Sequence, residues 1–282
     1  MKMAENILDM DKITIKFGGL TAVDNFSMYI NKGELVGLIG PNGAGKTTIF
    51  NMITGIYKPT SGKIVFKGID ITGLKPQLIN QIGIARTFQN IRLFSDMTVL
   101  ENTMVGQHSY FTNRKALNFL HAHDPKKYPK SLWRPWLFSA ILKTPDYVKV
   151  EKVMKEKAFN LLEKMELQKY ADFKASALPY GQQRKLEIAR ALATNPTLLI
   201  LDEPAAGMNP QESQELLESI RRIMKDFSLT ILLIEHDMKF VMNICERIYV
   251  LDYGKLISHG NPETVQNDKK VIEAYLGDEV YV

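Results

Sequence analysis

Nine consecutive residues, Gly40, Pro41, Asn42, Gly43, Ala44, Gly45, Lys46, Thr47 and Thr48, fit the spacing glycine, four residues, glycine, lysine, threonine. The spacing has a physical purpose. Glycines let successive backbone N–H groups turn toward phosphate oxygens, a following helix adds the positive end of its dipole, and Lys46 adds a full charge. Thr47 stands where a hydroxyl can meet a magnesium ion. The flanks suit this chemistry: Glu34 to Ile39 reads as a buried strand and Ile49 to Ile56 as an apolar-rich helix. A glycine-rich turn without a ligand would satisfy the spacing too, but strand, loop and helix in that order favour a nucleoside-triphosphate site.

Other chemically useful side chains stand at the ends of apolar runs. Thr197 to Leu201 ends on Asp202 and Glu203, Thr230 to Ile234 ends on Glu235, His236 and Asp237, and residues 82–89 read as a strand ending on Gln89. Ligands of parallel sheets bind at the carboxyl ends of the strands. Asp202 sits where a magnesium-organising carboxylate is needed, and Glu203 beside it can polarise a water. Phosphoryl transfer asks for such positioning and charge stabilisation more than for covalent help. Taken singly, Asp202-Glu203-Pro204 is also an ordinary turn after a strand, and a lone His236 is more often structural. Four strand ends agreeing carry the functional reading.

The elements that must hold these residues follow from periodicity. Residues 7–36 alternate short apolar runs and end in the turn Asn31-Lys32-Gly33, which reads as a hairpin,. Pro59-Thr60-Ser61-Gly62 is turn chemistry before a strand at Lys63 to Phe66,. Val153, Ala158, Leu161, Leu162 and Met165 recur at helical spacing over 150–169,. Asn209, Pro210 and Glu212 are a helix start, with asparagine as cap and glutamate at the capping-box position. Leu216, Leu217, Ile220, Ile223 and Met224 mark the buried stripe that follows. Two short strands flank Tyr253-Gly254 before a closing helix near 269–276. Strands alternating with helices imply an α/β core with a mainly parallel sheet, to which the first 70 residues add an antiparallel β portion.

Composition bounds the rest. The 282 residues are 45% hydrophobic and 24% charged, which suits one large globular domain or two modest ones,. The single cysteine, Cys245, excludes an internal disulfide,. No run reaches the roughly 18 apolar residues of a membrane span, and the first residues lack a signal peptide's apolar stretch, so a cytoplasmic protein is expected. A net charge of +5 does not by itself indicate nucleic acid,. Residues 107–149 differ from the rest, with both tryptophans, three of five histidines, four prolines and eight basic residues against Asp124 and Asp146. They read as an insertion of short helices and loops. His121, His123 and Asp124 lack the second spaced cluster that a metal site needs.

With these residues in view, the chain resembles an ATP-binding subunit of an ABC transporter over nearly its whole length. The glycine loop, Gln89, LPYGQ at 178–182, LLILDEP at 198–204, AGMN at 206–209 and His236 occur in that family's order. LPYGQQRKLEIARALATNP, LDEPAAGMNP and the insertion are further similar to the branch serving branched-chain amino-acid importers. The resemblance implies one ABC ATPase domain with a P-loop core, an antiparallel β subdomain and a helical subdomain. Residues 1–88 and 195–282 would form the β subdomain and core. Residues 89–194 would form the helical subdomain, holding the insertion 107–149 and the signature 178–182.

Roles implied by the resemblance follow. Phe17 would stack on the adenine of ATP, with Val23 beside it. Asn42, Gly43, Ala44, Gly45, Lys46, Thr47 and Thr48 would hold the phosphates, and Thr47, Gln89 and Asp202 would surround Mg2+. Glu203 would be the catalytic base and His236 the γ-phosphate sensor. Pro179, Tyr180, Gly181 and Gln182 would close in trans over ATP on a second ATP-binding subunit, a copy or close paralogue, with Asn209 linking the two sites. Separate permease subunits, and through them a solute-binding protein, would place the chain peripherally on the cytoplasmic side of the membrane. The commoner signature is LSGGQ. Here Pro179 replaces the serine, without a hydroxyl or backbone N–H, and Tyr180 replaces the first glycine.

Rival functions each lack a feature. A soluble ABC ATPase of DNA repair or translation would carry a coiled coil, zinc modules or a tandem second ATPase unit. A GTPase would place an NKxD element after the glycine loop, whereas Asn31-Lys32-Gly33-Glu34 precedes it and lacks the aspartate. A lipopolysaccharide-type exporter ATPase shares the YGQ signature, but the insertion and AAGMNP favour the amino-acid importer.

Overall fold

A computed structural model describes residues 5–107, 145–236 and 238–279. Most of the expected insertion, with His121, His123, Asp124 and both tryptophans, lies outside these residues, as does Asp237. The elements in chain order are β1 (Asn6–Phe17), β2 (Leu20–Asn31), β3 (Leu35–Ile39), α1 (Lys46–Ile53), β4 (Ser61–Phe66), β5 (Ile69–Asp70), α2 (Pro76–Gln81), β6 (Ile84–Arg86) and α3 (Val99–Gln107). From residue 145, within the last part of the expected insertion, come α4 (Pro145–Lys164), α5 (Tyr180–Leu192), β7 (Leu198–Asp202), α6 (Pro210–Phe227), β8 (Thr230–Ile234), α7 (Met238–Ile244), β9 (Arg247–Asp252), β10 (Lys255–Gly260), α8 (Pro262–Gln266) and α9 (Lys269–Glu279). They form two compact units, one of residues 1–79 with 197–282 and one of residues 80–196.

The first unit holds an antiparallel sheet in the order β2-β1-β4-β5 and a second sheet in which its strands run β10-β9-β3-β8-β7. Strands β3, β7 and β8 are buried along all five residues, as continuous apolar runs covered on both faces must be,. They run parallel, with β3 between β8 and β9, and β10 closes the edge antiparallel to β9. Helix α6 starts as its sequence demands: the Asn209 side chain accepts from the Glu212 N–H and the Glu212 carboxylate accepts from the Asn209 N–H. Leu216, Leu217, Ile220 and Ile223 form its buried stripe.

An arginine ties the two sheets together. Arg247 on β9 donates through Nε and Nη2 to both carboxylate oxygens of Glu34, at 2.8 and 2.7 Å, and through Nη2 to the Tyr29 carbonyl at 3.0 Å. Its guanidinium carbon also lies 3.9 Å from the centroid of the Tyr29 ring. Both charged side chains are only 12% exposed, so the fork is poorly screened,. Arg247→Ala, which strands Glu34, is expected to lower unfolding free energy by about 3 kcal/mol. Urea unfolding checks this, and an unchanged midpoint would mean that solvent already screens the pair.

The second unit packs α3, α4 and α5 around apolar residues such as Val99, Ala158, Leu162, Leu186 and Ile188. The buried Asn102 side chain exchanges hydrogen bonds with the Phe94 N–H and C=O at 2.9 and 3.0 Å, and the Gln107 amide donates to the Met154 carbonyl at 2.9 Å. Two expectations are corrected here. Val153 is 47% exposed and the neighbouring Met154 takes its buried place, while Ala158, Leu162 and Met165 are buried as expected. The strand expected over 82–89 covers only Ile84–Arg86, because the backbone beyond it bonds to side chains of α5 instead of continuing a ladder.

Candidate functional site

Three parallel strands of the first unit end level with one another. Leu38 on β3 pairs with Ile234 on β8, and Ile234 pairs in turn with Asp202 on β7. The residues just past these ends are therefore the glycine loop, Glu203 and Glu235-His236. Sequence places each after its own strand; the shared register brings them to one edge.

Two glycines are required by the loop's tight fit. A Cβ on Gly40 would lie 2.0 Å from the Leu251 carbonyl oxygen, and one on Gly45 would lie 2.8 Å from that of Ala22; both have positive φ, 152° and 104°,. Val23 is fully buried, and its Cγ2 lies 3.3 Å from the position of such a Gly45 Cβ, which places it beneath the loop. Helix α1 begins at Lys46, aiming its first N–H groups into the loop,. The Lys46 ammonium donates to the carbonyls of Gly40 and Pro41 at 2.6 and 2.8 Å, so its charge is held over the loop. Asn42, Gly43 and Thr47 are exposed.

On the neighbouring strand ends, Asp202 is 4% exposed and the Glu203 side chain 17%. Glu203 has φ 45°, the left-handed region that non-glycine residues rarely enter, and its N–H donates to the Ile234 carbonyl at 2.9 Å,. His236 Nδ1 stands 3.6 Å from Glu203 Oε2 and 3.9 Å from Glu235 Oε2.

Sequence reasoning noted Glu235 without giving it a role. Its side chain is 1% exposed. It accepts from the Ala205 N–H at 2.9 Å and from the His236 N–H at 3.3 Å, so one carboxylate holds the turn after Glu203 and the residue at the end of β8. Burial pushes its carboxyl above the usual carboxylate range, against the lowering effect of the Ala205 N–H,. The signal available was its place between an apolar strand and His236. Glu235→Ala is expected to lower kcat about tenfold, as the orphaned Ala205 N–H shifts the turn. KM for ATP should stay within about twofold, and Glu235→Gln, which keeps an acceptor, should lose less. Steady-state ATPase kinetics check this; equal rates for all three proteins would remove Glu235 from the site.

Phe17 ends β1 and is 44% exposed, and the Tyr57 ring meets its ring edge to face at 5.2 Å and 71°,. Tyr57 offered no sequence signal, because it follows α1 by a turn and meets Phe17 only through the fold. Gln89 and Pro179 to Gln182 lie in the second unit. There Arg184 donates to the carbonyls of Phe88 and Gln89 at 2.6 and 2.7 Å and to the Tyr180 hydroxyl at 3.3 Å.

Fold and site together define a nucleotide-binding cassette. A family model described as ABC transporter matches residues 23–206, and one described as branched-chain amino acid ATP-binding cassette transporter matches residues 255–281. The chain belongs to the ABC transporter family and is one of its ATPases. It is 44% identical to the high-affinity branched-chain amino acid transport ATP-binding protein LivG of Salmonella typhimurium, over 98% of this chain and 100% of that one. The corresponding protein BraF of Pseudomonas aeruginosa is 42% identical over the same shares. Among solved structures, the ADP conformation of MJ1267, an ATP-binding cassette of an ABC transporter, matches with a TM-score of 0.78 and 34% identity, covering 96% of this chain and 99% of that one.

Proposed function

We propose that this chain is the energy-coupling ATPase of an importer for branched-chain amino acids, working as a dimer on separate permease subunits at the cytoplasmic face of the membrane. The observation that carries the catalytic reading is the common register of β3, β7 and β8, which collects Lys46, Asp202, Glu203 and His236 at one edge. The solute class is supported by the likeness to LivG and BraF along the whole chain.

In this reading Phe17 stacks on adenine, and the amides of 42–48 with Lys46 hold the phosphates. Glu203 takes a proton from the attacking water, and His236 donates a hydrogen bond to the γ-phosphate. Oxygen donors of the right kind for magnesium are present: a buried Asp202 carboxylate and the exposed Thr47 hydroxyl, with Gln89 assigned to the same ion by family likeness. Magnesium takes one or two carboxylates plus substrate phosphates, and when bound it neutralises charge developing on them. Pro179 to Gln182 complete the site of the second subunit, and Asn209 carries the turn between the sites. No helix among the described residues is long and apolar enough to cross a membrane.

The test is reconstitution of the chain with its membrane and solute-binding partners in liposomes. Uptake of leucine, isoleucine or valine should require ATP on the side of this chain and vanish with Glu203→Gln. ATP-dependent uptake of another solute class, with none of these three, would overturn the assignment.

A further inference from the structure

The segment after β6 is held by a charge pair that neither the catalytic reading nor the family signature assigns. Arg184 and Glu187, one turn apart on α5, have side chains 0% and 1% exposed and meet at 2.9 Å. A pair this deeply buried is weak evidence for stability, since apolar residues of similar volume often do as well or better. Glu187 also faces the charge of Arg190 on the same helix, and the other hydrogen-bond partners of the pair are main chain or signature. Arg184 donates to the carbonyls of Phe88 and Gln89 at 2.6 and 2.7 Å. Glu187 Oε1 accepts from the N–H groups of Phe88 and Arg92 at 3.4 and 3.3 Å. Arg184 also donates to the hydroxyl of Tyr180 at 3.3 Å, the residue that stands where the commoner signature has glycine.

We propose that Arg184 and Glu187 are positioning residues that lock the Gln89 segment to the first turn of α5, so that Gln89 and the signature Tyr180-Gly181-Gln182 move as one body. The inference rests on the roles proposed above for Gln89 and for 179–182. Gln89 would report nucleotide in its own subunit while the signature touches nucleotide in the second, and a stiff link joins the two events. The Tyr180 hydroxyl extends that link into the signature itself, a role glycine cannot fill.

The test uses the full-length chain with its permease partners. Arg184→Met combined with Glu187→Leu removes both charges of the pair, so that neither is left facing an absent partner, and Arg190 is the cation that loses a facing carboxylate,. A folded double variant should keep ATP affinity within about twofold of wild type, because Lys46 and its loop lie in the other unit. It should lose at least tenfold in kcat, require several-fold more magnesium for half-maximal rate, and show a Hill coefficient for ATP falling toward one. A purely structural pair would change the melting temperature without moving the magnesium requirement or the Hill coefficient. A folded double variant with wild-type kinetics overturns the proposal. Should it fail to fold, Glu187→Gln, which keeps the acceptors for Phe88 and Arg92, is read the same way with a smaller expected loss; unfolding of both variants would mark the pair as a stability element and overturn the proposal. Gln89→Ala separates the two layers. If it turns over normally, the role of Gln89 fails; if it is slow while the pair's variants are not, only the link fails.

Discussion

Glu203→Gln is expected to bind ATP with near wild-type affinity, accumulate as a nucleotide-held dimer and turn over at least about a hundredfold more slowly, in line with loss of a general base. The substitution keeps size and hydrogen-bonding shape but removes the ability to take a proton. The structure makes the loss hard to compensate. Glu203 is held in the left-handed region with φ 45° and anchored by its N–H to Ile234, so a glutamine at 203 is held in the same place without the ability to take a proton. Two other acidic groups are near but committed: Asp202 is buried at the strand end, and Glu235 is occupied by the N–H groups of Ala205 and His236. Single-turnover ATPase rates and size-exclusion chromatography with ATP would check both halves. Wild-type turnover would sink the assigned role.

Lys46→Ala is the second large effect. Its ammonium is the charge that α1 brings to the loop, 7% exposed and donating to the carbonyls of Gly40 and Pro41. A phosphate approaching the loop would offer it a far better acceptor. A hydrogen bond to a charged group contributes about 1.5–3 kcal/mol, so ATP affinity should fall roughly 10- to 100-fold. Titration with a fluorescent ATP analogue would measure it. Affinity unchanged in a folded variant would show that the loop amides alone hold the phosphates.

The catalytic set separates into residues legible from local sequence and residues that were not. The glycine loop, Asp202-Glu203 and the Asn209 cap are read from spacing, because each depends on neighbours within a few positions: a strand that ends, a turn that needs positive φ, a helix that needs a cap. Helix faces were less secure. Val153 and Met154 are adjacent and both apolar, and only packing against α3 decides which is buried.

Contacts across long sequence separations could not be read at all. Residues 82–89 have the composition of a strand, yet the ladder stops at Arg86 because the amide of Phe88 finds Glu187, 99 residues later. Tyr57 meets Phe17, and Glu235 meets Ala205, only once the strands have stacked. By itself, then, the sequence determined that this chain grips a nucleoside triphosphate and which residues could do so, since that chemistry is built from local backbone geometry. Only the tertiary structure decided which buried charges hold those residues in place, because a buried charge must find its partner wherever the fold brings one within about 3 Å.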